Sequence, residues 1–223
     1  MTNIDSLIAR VSGDEKHAPS APSTLDALRV LYERVLRVDP DTASDPARDR
    51  FVLSKGHGPA AFYAVLAAQG FFPREWLDDV AGPSSQLGHH PDRIAPGVEA
   101  SSGSLGHGLG IGVGMALGLR REEQRSPLVY VMVGDAELDE GSNHEAIAFA
   151  GAIGLENLVT IVIDNQSSTH GWTGGIASRF AVNGWTAETV DGHDHARLER
   201  AFTNREPGRP HAVVAVVEQK RSA

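Results

Sequence analysis

The second half of the chain alternates runs of strand character with segments of helical periodicity, and this alternation constrains the fold more than any other feature. The runs are LVYVMV (128–133), LVTIVI (158–163), WTAETV (185–190) and HAVVAVV (211–217), and the helical segments are SNHEAIAFAGAI (142–153) and DHARLERAFT (194–203). Near-continuous apolar strands are typical of sheets that are buried on both faces, and intervening helices are typical of parallel connections. The pattern therefore predicts an α/β fold with a mainly parallel central sheet in a three-layer αβα arrangement.

The first half of the chain is predicted to be mainly helical, with one long loop. Helical spacing covers TLDALRVLYERVL (24–36), GPAAFYAVLAAQG (58–70), PREWLDDV (73–80) and LGHGLGIGVGMALGLRR (105–121). Ser23, followed three positions later by Asp26, is predicted to be an N-cap. Residues 81–103 contain several Gly and Pro and form a predicted loop of a length that is usually functional or disordered. Residues 1–22 are predicted to be a loose segment, and residues 23–223 a single domain.

The composition excludes several function classes. The 223 residues are 41 % apolar and 22 % charged, which is enough for one α/β domain with its own core. A net charge of −9 and unclustered Lys and Arg argue against a nucleic-acid partner. The sequence has no cysteine, which excludes disulfides, thiolate catalysis and cysteine-bound zinc within it. The first residues do not resemble a secretory signal, and no apolar run approaches the roughly 20 residues that span a bilayer. We therefore expect a soluble, cytoplasmic protein with no membrane partner.

Two of the predicted strands end in an oxygen-bearing side chain. One strand runs into Gly134-Asp135, and the next runs into Asp164-Asn165. Ligands of parallel α/β sheets bind outside the carboxyl ends of the strands, and carboxylate and amide oxygens suit Mg²⁺ shared with phosphate. A helix predicted to start near Ser142 would add free N–H groups for an anion. The alternative is purely structural, with a turn at Asp135 and a strand-end cap at Asn165.

Five segments of the chain, in order, resemble the N-terminal, diphosphate-binding part of the transketolases, which are thiamine diphosphate enzymes. They are RDRFVLSKGHGPAAFYAVLAAQGFFP (48–73), GHHP (88–91), GVEASSGSLGHGLGIGVGMALG (97–118), the Gly-Asp to Asn motif (134–165) and DGHDHARL (191–198). The resemblance runs from about residue 17 to residue 219. It implies that residues 23–223 form a thiamine diphosphate-binding fold. It further implies transfer of a two-carbon ketol unit from a ketose donor to an aldehyde acceptor.

The resemblance also implies a metal and cofactor site. Asp135 and Asn165 would bind Mg²⁺ through their side chains and Ser167 through its backbone oxygen, with Ca²⁺ or Mn²⁺ able to substitute. His57 would contact the diphosphate, and His90 would reach the substrate hydroxyl next to the reacting carbonyl. The other residues that would contact the cofactor are Gly103, Leu105, Gly134 and Ala136.

Three more residues acquire expected roles by the same resemblance. His17 lies nine residues before Asp26, as the catalytic histidine of the family lies before an acidic residue, although here the flanking glycines are missing. The alternative for His17 is an exposed histidine in a tail. Glu140 and Glu145 match acidic residues near the dimer interface of the family, and Glu140 is predicted to be catalytic. The alternative for Glu140 is a favourable interaction with the dipole of the following helix.

The remaining histidines carry weaker expectations. His89 could take the role of His90 if the turn is shifted by one residue. His107 occupies the position of a family glutamine. His144 lies near the predicted diphosphate end of the cofactor crevice. His193 and His195 resemble a metal pair, but DGHD is predicted to be a turn in which Asp194 caps a helix.

The chain departs from the family in one glycine and in length. Ala136 occupies the second glycine of Gly-Asp-Gly, and alanine would cost free energy if the backbone there required a positive φ. Full transketolases add a pyrimidine-binding domain, with the glutamate that activates the cofactor, and a C-terminal domain. The resemblance therefore implies the small subunit of a split transketolase in an α₂β₂ heterotetramer with a second chain.

Three alternatives remain open at the level of sequence. The first is another thiamine diphosphate reaction in specialised metabolism, for example of the ansamycin type, with a non-sugar substrate. The second is a catalytically degenerate subunit that serves as a scaffold. The third is an unrelated Mg²⁺-dependent phosphate enzyme that uses Asp135 and acts alone.

Overall fold

A sheet of five parallel strands forms the centre of the molecule. The computed structural model describes residues 4–13, 22–57, 59–120 and 127–218. The strands are β1 (Arg50–Leu53), β2 (Val129–Gly134), β3 (Leu158–Asp164), β4 (Thr186–Asp191) and β5 (His211–Val216). Their order across the sheet is β1-β2-β3-β5-β4, and every neighbouring pair is parallel. Parallel neighbours need long crossover connections, which explains why helices alternate with the strands along the chain.

Helices cover both faces of this sheet. They are α1 (Ile4–Arg10), α2 (Pro22–Val30), α3 (Pro59–Gln69), α4 (His107–Leu119), α5 (Gly141–Ala152), α6 (Gly175–Ala181) and α7 (His195–Thr203), with a π turn at Leu31–Val35 and 3-10 turns at Arg74–Asp79 and Ala136–Asp139. Helices α1, α2, α3 and α7 contribute to one apolar core, and α4, α5 and α6 contribute to the other. In β2, Tyr130 and Met132 belong to the first core, whereas Val129, Val131 and Val133 belong to the second. This arrangement confirms the predicted αβα layers. Within the described ranges, no helix is long and apolar enough to cross a membrane.

The prediction of a loose segment over residues 1–22 is wrong for residues 4–10. These residues form α1, which buries Ile4 and Leu7 and packs against α3. The helix has only seven residues, too few for hydrophobic periodicity to distinguish it from a loop. His17 lies outside the residues that the structure describes.

The structure corrects the sequence prediction at three other places. Strand β1 is not among the predicted strands. It is short, begins with Arg50 and pairs only with β2, so its sequence carries a weak strand signal. Helix α6 is not predicted either, because it begins at Gly175, a poor helix former, and follows a Gly-rich segment. The predicted N-cap at Ser23 is wrong because α2 begins at Pro22, where proline suits the first turn of a helix.

Candidate functional site

A cavity of about 250 Å³ opens at the carboxyl ends of β1, β2 and β3. The cavity is lined by His90 and by all the residues predicted to bind the metal or the cofactor. These are His57, Gly103, Leu105, Gly134, Asp135, Ala136, Asn165 and Ser167. These residues come from four separate parts of the sequence: the end of β1, the loop before α4, the end of β2 and the end of β3. The parallel sheet therefore converts distant motifs into one site.

The register of β2 and β3 places Asp135 beside the segment that follows β3. Gly134 pairs with Ile163, and the Asp135 backbone N–H donates to the Ile163 carbonyl oxygen at 3.0 Å. The buried Asp135 carboxylate accepts hydrogen bonds from the Ser167 N–H and hydroxyl, both at 2.6 Å, and from the Ser168 N–H at 3.0 Å. Asp135 and the segment that contains Ser167 are thus in direct contact at this end of the sheet.

Asn165 carries an amide oxygen with no hydrogen-bond partner. The residue is 6 % exposed, and its Oδ1 atom is buried without a donor in reach. Of the residues in the described part of the chain with a buried side-chain atom in this condition, Asn165 is the one that lines the cavity. Leaving such an atom unpaired costs about 1–3 kcal/mol, so a ligand that it contacts would recover this free energy.

The oxygen atoms at the ends of β2 and β3 fit a hard cation. Mg²⁺ prefers carboxylate, carbonyl and water oxygens, and it commonly shares them with phosphate. Asp135 supplies a carboxylate, and Asn165 supplies an oxygen that lacks a partner. No cluster of three or more His, Asp or Glu side chains in the described ranges could hold a metal. A cation at this cavity would therefore depend on the mixed set of carboxylate, amide and backbone oxygens.

His57 and His90 form a pair on the opposite side of the cavity. Their rings lie 5.8 Å apart between centroids with an angle of 29° between the planes. His90 Nδ1 lies 2.8 Å from the Gly56 carbonyl oxygen, to which it can only donate, so in the neutral ring Nε2 is an acceptor. The His90 ring packs on Gly103, where φ is +115° and a Cβ would lie 3.1 Å from His90 Cδ2. Glycine at position 103 is therefore needed for both backbone conformation and space.

Glu137 is a residue of this site that the sequence analysis does not identify. It is 2 % exposed, and its carboxyl group accepts hydrogen bonds from the Ser54 hydroxyl, the Gly106 N–H at 3.1 Å and the Gly134 N–H at 3.2 Å. Burial raises the pKa of Glu137 above the ordinary glutamate value, and the hydrogen bonds and Lys55 counteract this effect only in part. The sequence gives little signal because Glu137 lies among other acidic residues, and its burial depends on residues far away in the chain.

Ala136 occupies a backbone conformation that alanine adopts without strain. It begins the 3-10 turn Ala136–Asp139, and the described non-glycine residues with positive φ are Ala81 and Gln166. The cost considered from the sequence, a methyl group on a backbone that requires glycine, is therefore absent in this conformation.

Other predicted residues lie away from the cavity wall. Glu140 is exposed and precedes the first residue of α5, and Glu145 is exposed on the same helix. His144 is exposed, and its ring lies 6.1 Å from the Trp172 ring. His107 Nδ1 lies 2.8 Å from the Ser104 hydroxyl oxygen.

The histidines of the DGHD segment bond to an acidic residue of α2. Asp26 Oδ2 lies 2.8 Å from His193 Nδ1, and Asp26 Oδ1 lies 2.7 Å from His195 Nε2. The hydrogen bond that the His193 ring donates to the Asp26 carboxylate raises the pKa of His193. Asp194 accepts a hydrogen bond from the Arg197 N–H at 3.0 Å, which confirms that it caps α7.

Fold and site together define a parallel α/β protein whose ligand cavity lies at the carboxyl ends of neighbouring strands. The family described as "Transketolase, thiamine diphosphate binding domain" matches residues 4–216, nearly the whole chain. The chain therefore belongs to the transketolase family and carries its thiamine diphosphate binding domain.

Individual relatives agree with this assignment. The chain is 35 % identical over 207 residues to the 6-deoxy-6-sulfo-D-fructose transketolase subunit SqwG of Clostridium sp. (strain MSTE9), covering 89 % of this chain and 75 % of that one. It is 49 % identical over 219 residues to a Rhodococcoides fascians protein named "Ferredoxin fas2", covering 98 % of this chain and 72 % of the relative. The 223 residues contain no cysteine, the usual ligand of iron–sulfur clusters.

Solved structures share the fold. A crystal structure of transketolase from Pichia stipitis superposes with a TM-score of 0.79 at 26 % identity. The match covers 96 % of this chain and 36 % of that one, so the chain spans just over a third of the solved transketolase.

Proposed function

We propose that this chain is the diphosphate-binding subunit of a two-chain transketolase, which transfers a two-carbon ketol unit from a ketose to an aldehyde. The observation that carries the proposal is the buried, partnerless Oδ1 of Asn165 beside Asp135 in the cavity. Support also comes from the family of the chain and from a relative named as a transketolase subunit.

In this proposal, the residues of the cavity divide the work of binding and proton transfer. Asp135, Asn165 and Ser167 hold Mg²⁺, and His57 contacts the diphosphate. When bound, thiamine diphosphate supplies the stabilisation of a carbanion that ketol transfer requires. His90 Nε2, which is the acceptor of the neutral ring because Nδ1 donates to the Gly56 carbonyl oxygen, accepts a proton from the substrate hydroxyl and returns it.

The outer face of α4 supports the need for a partner chain. The helix is apolar on all sides, and such helices are normally buried. Ile111 and Leu117 on α4 are 40 % and 48 % exposed, and Phe149 on the neighbouring helix α5 is 48 % exposed. We propose that this face docks a second chain that carries the pyrimidine-binding and C-terminal transketolase domains in an α₂β₂ assembly. The pyrimidine-binding domain would complete the cofactor site.

The scaffold alternative loses one of its supports in this structure. It depends in part on Ala136 impairing the diphosphate site, and Ala136 lies in an unstrained 3-10 turn. A thiamine diphosphate reaction on a non-sugar substrate stays open, because most of the proposed substrate contacts, apart from that of His90, lie in the partner chain.

Co-expression with the candidate partner tests the proposal. The expected result is a stable complex of the two chains that transfers a ketol unit only when thiamine diphosphate and Mg²⁺ are present, whereas neither chain is active alone. Ile111→Arg should abolish assembly while leaving the unfolding midpoint of this chain unchanged, and Val182→Arg, at an exposed residue following α6, is the matched control. Ketol transfer by this chain alone would contradict the proposal, as would a cofactor-loaded complex without such activity.

A further inference from the structure

A single buried side chain connects three walls of the cavity. The carboxyl group of Glu137 accepts hydrogen bonds from Ser54, Gly106 and Gly134. Ser54 follows β1, Gly106 directly precedes α4, and Gly134 ends β2. Two of these donors are distant in sequence, since Ser54 and Gly106 lie 83 and 31 positions from Glu137, whereas Gly134 lies 3 positions before it.

Each donor is adjacent to residues that line the cavity. Ser54 begins the segment that continues through Lys55 to His57, and Gly106 directly follows Leu105. Gly134 directly precedes Asp135. A shift of the Glu137 carboxyl group would therefore be transmitted to three walls together: the histidine wall at His57, the wall before α4 at Leu105 and the metal wall at Asp135.

The backbone around Glu137 is closely packed and depends on two glycines. A Cβ at Gly108 would overlap the Ser54 side chain, and φ at Gly106 is +82°, a conformation that favours glycine. Ser142 donates its hydroxyl to the Gly106 carbonyl oxygen at 2.8 Å, and Asn143 donates to the Glu137 carbonyl oxygen at 2.6 Å. The start of α5 therefore holds both sides of this junction in place.

We propose that Glu137 is a positioning residue that joins the three walls and thereby sets the affinity of the cavity for magnesium thiamine diphosphate. The inference rests on the proposed function of the cavity as the diphosphate site. The role of Glu137 is exerted through Ser54, Gly106 and Gly134, whose neighbours face the ligand. A charged carboxylate suits this role because it accepts at both oxygen atoms.

Glu137→Gln tests the proposal at nearly constant volume. In the wild-type chain, Oε1 accepts from Ser54 and Gly106, and Oε2 accepts from Gly134. Glutamine has one acceptor oxygen, so its NH₂ group must face either the Gly106 N–H or the Gly134 N–H, and neither backbone donor can reverse its role. With the full chain assembled with its partner, we expect the Kd for thiamine diphosphate at saturating Mg²⁺ to rise by about 10- to 100-fold. At saturating cofactor, kcat should fall by a smaller factor than the Kd rises, because Glu137 acts only through the walls that it joins.

Hydrogen exchange of the assembled, cofactor-free protein provides a readout that is independent of activity. In Glu137→Gln, amides in either the segment 103–108 or the segment 133–137 should exchange faster than in the wild type, because either the Gly106 N–H or the Gly134 N–H loses its buried acceptor. Ser54→Ala removes one donor and leaves both backbone bonds, so it should raise the Kd by a smaller factor. It also keeps the proposal testable if the glutamine variant fails to fold.

Asn157→Ala is the matched control. Asn157 is equally buried, and its Nδ2 donates to the Ala116 carbonyl oxygen at 2.9 Å and to the Pro127 carbonyl oxygen at 3.3 Å, just before the start of β3. Its loss should lower the unfolding midpoint without changing the Kd or the exchange of segment 103–108. The proposal is overturned if the Glu137 and Ser54 variants lower only the midpoint, as this control does. If the wild-type complex binds no thiamine diphosphate but Glu137→Gln still loosens the walls, then the proposed function fails and the joining role of Glu137 stands.

Discussion

The two ends of the parallel sheet use buried polar side chains in different ways. At the carboxyl end, Asp135 and Asn165 converge on a cavity, and the Asn165 amide oxygen has no partner. At the amino end, Asp49 is 1 % exposed and bonds to other segments: it accepts from the Arg37 guanidinium at 2.7 Å and from the Leu128 N–H at 2.9 Å. At the amino end, the buried Asp49 carboxylate thus stabilises the fold. At the carboxyl end, Asn165 lines a cavity and has an amide oxygen that a ligand could contact.

This difference predicts that substitutions at the carboxyl end of the sheet change cofactor binding, whereas substitutions at the amino end change stability. A side chain that faces the cavity should matter for cofactor affinity and little for the free energy of unfolding. A side chain that closes the amino end should have the opposite profile. The three variants below test this separation, from the largest expected effect to the smallest.

Asn165→Leu should cause the largest change, and the change should be in binding. The substitution keeps the number and branching of the side-chain heavy atoms and removes the partnerless amide oxygen. We expect the Mg²⁺-dependent affinity for thiamine diphosphate to fall by about 100-fold or more, since even the loss of groups that only support ligands costs 10- to 100-fold. The free energy of unfolding should stay constant or rise by about 1 kcal/mol, because an unsatisfied buried oxygen is removed.

Calorimetric titration and urea denaturation of the same preparation would measure both quantities for Asn165→Leu. Asn157→Leu, at the amino end, is the control that should leave affinity unchanged. If Asn165→Leu lowered stability and left the affinity intact, Asn165 would be a structural residue and the contrast between the ends would be lost.

Asp49→Ala should produce the reverse profile. The change leaves the Leu128 N–H buried without an acceptor and removes the carboxylate that binds the Arg37 backbone N–H and guanidinium. We expect a loss of about 2–3 kcal/mol in the free energy of unfolding, measured by urea denaturation, and an unchanged Kd for the cofactor. Asp45→Ala, at an exposed residue, should change stability by less than about 0.5 kcal/mol. A loss of cofactor affinity in Asp49→Ala beyond twofold would count against the separation.

His211, the first residue of β5, should add a smaller, pH-dependent contribution at the amino end. Burial lowers the pKa of His211 below the ordinary value of 6.5, so the folded chain binds this proton less readily than the unfolded chain. Stability from this residue is therefore complete above pH 6.5 and is lost as the pH falls through and below that value. The groups around the ring are the Thr186 hydroxyl at 2.7 Å, the Ala201 carbonyl oxygen at 3.1 Å and Glu188 at 3.6 Å.

His211→Gln should make the free energy of unfolding less dependent on pH between about pH 7.5 and 5, because the buried titrating group is gone. Denaturation curves at several pH values would measure the difference, and parallel curves for His211→Gln and wild type would refute the prediction.

The parts of the structure that the sequence predicts are those encoded by local patterns. The buried strands β2 and β3 are nearly continuous apolar runs, so the parallel α/β fold and the positions of Asp135 and Asn165 at strand ends follow from the sequence. The predicted cap Asp194 is also a local feature. Strand β1 is missed because four residues that begin with Arg50 carry too little pattern.

Features that depend on tertiary contacts cannot be read from local sequence. The proximity of His57 to His90 is predicted only through resemblance to a family. Glu137 has no local signal at all, since its burial results from contacts with Ser54 and Gly106 that form only when the sheet and α4 come together. The absence of strain at Ala136 likewise depends on φ, which the residue type does not determine.

The most direct test of the central claim is a calorimetric titration of thiamine diphosphate into the chain assembled with its partner, with Mg²⁺ and then with EDTA. The cavity should bind thiamine diphosphate with one ligand for each copy of this chain, only with Mg²⁺, and much more tightly than thiamine, which lacks the diphosphate. Asp135→Ala should abolish this binding while the complex stays assembled. Equal affinity for thiamine and thiamine diphosphate, or binding that survives both EDTA and Asp135→Ala, would contradict the assignment of the carboxyl end of the sheet as a magnesium-diphosphate site.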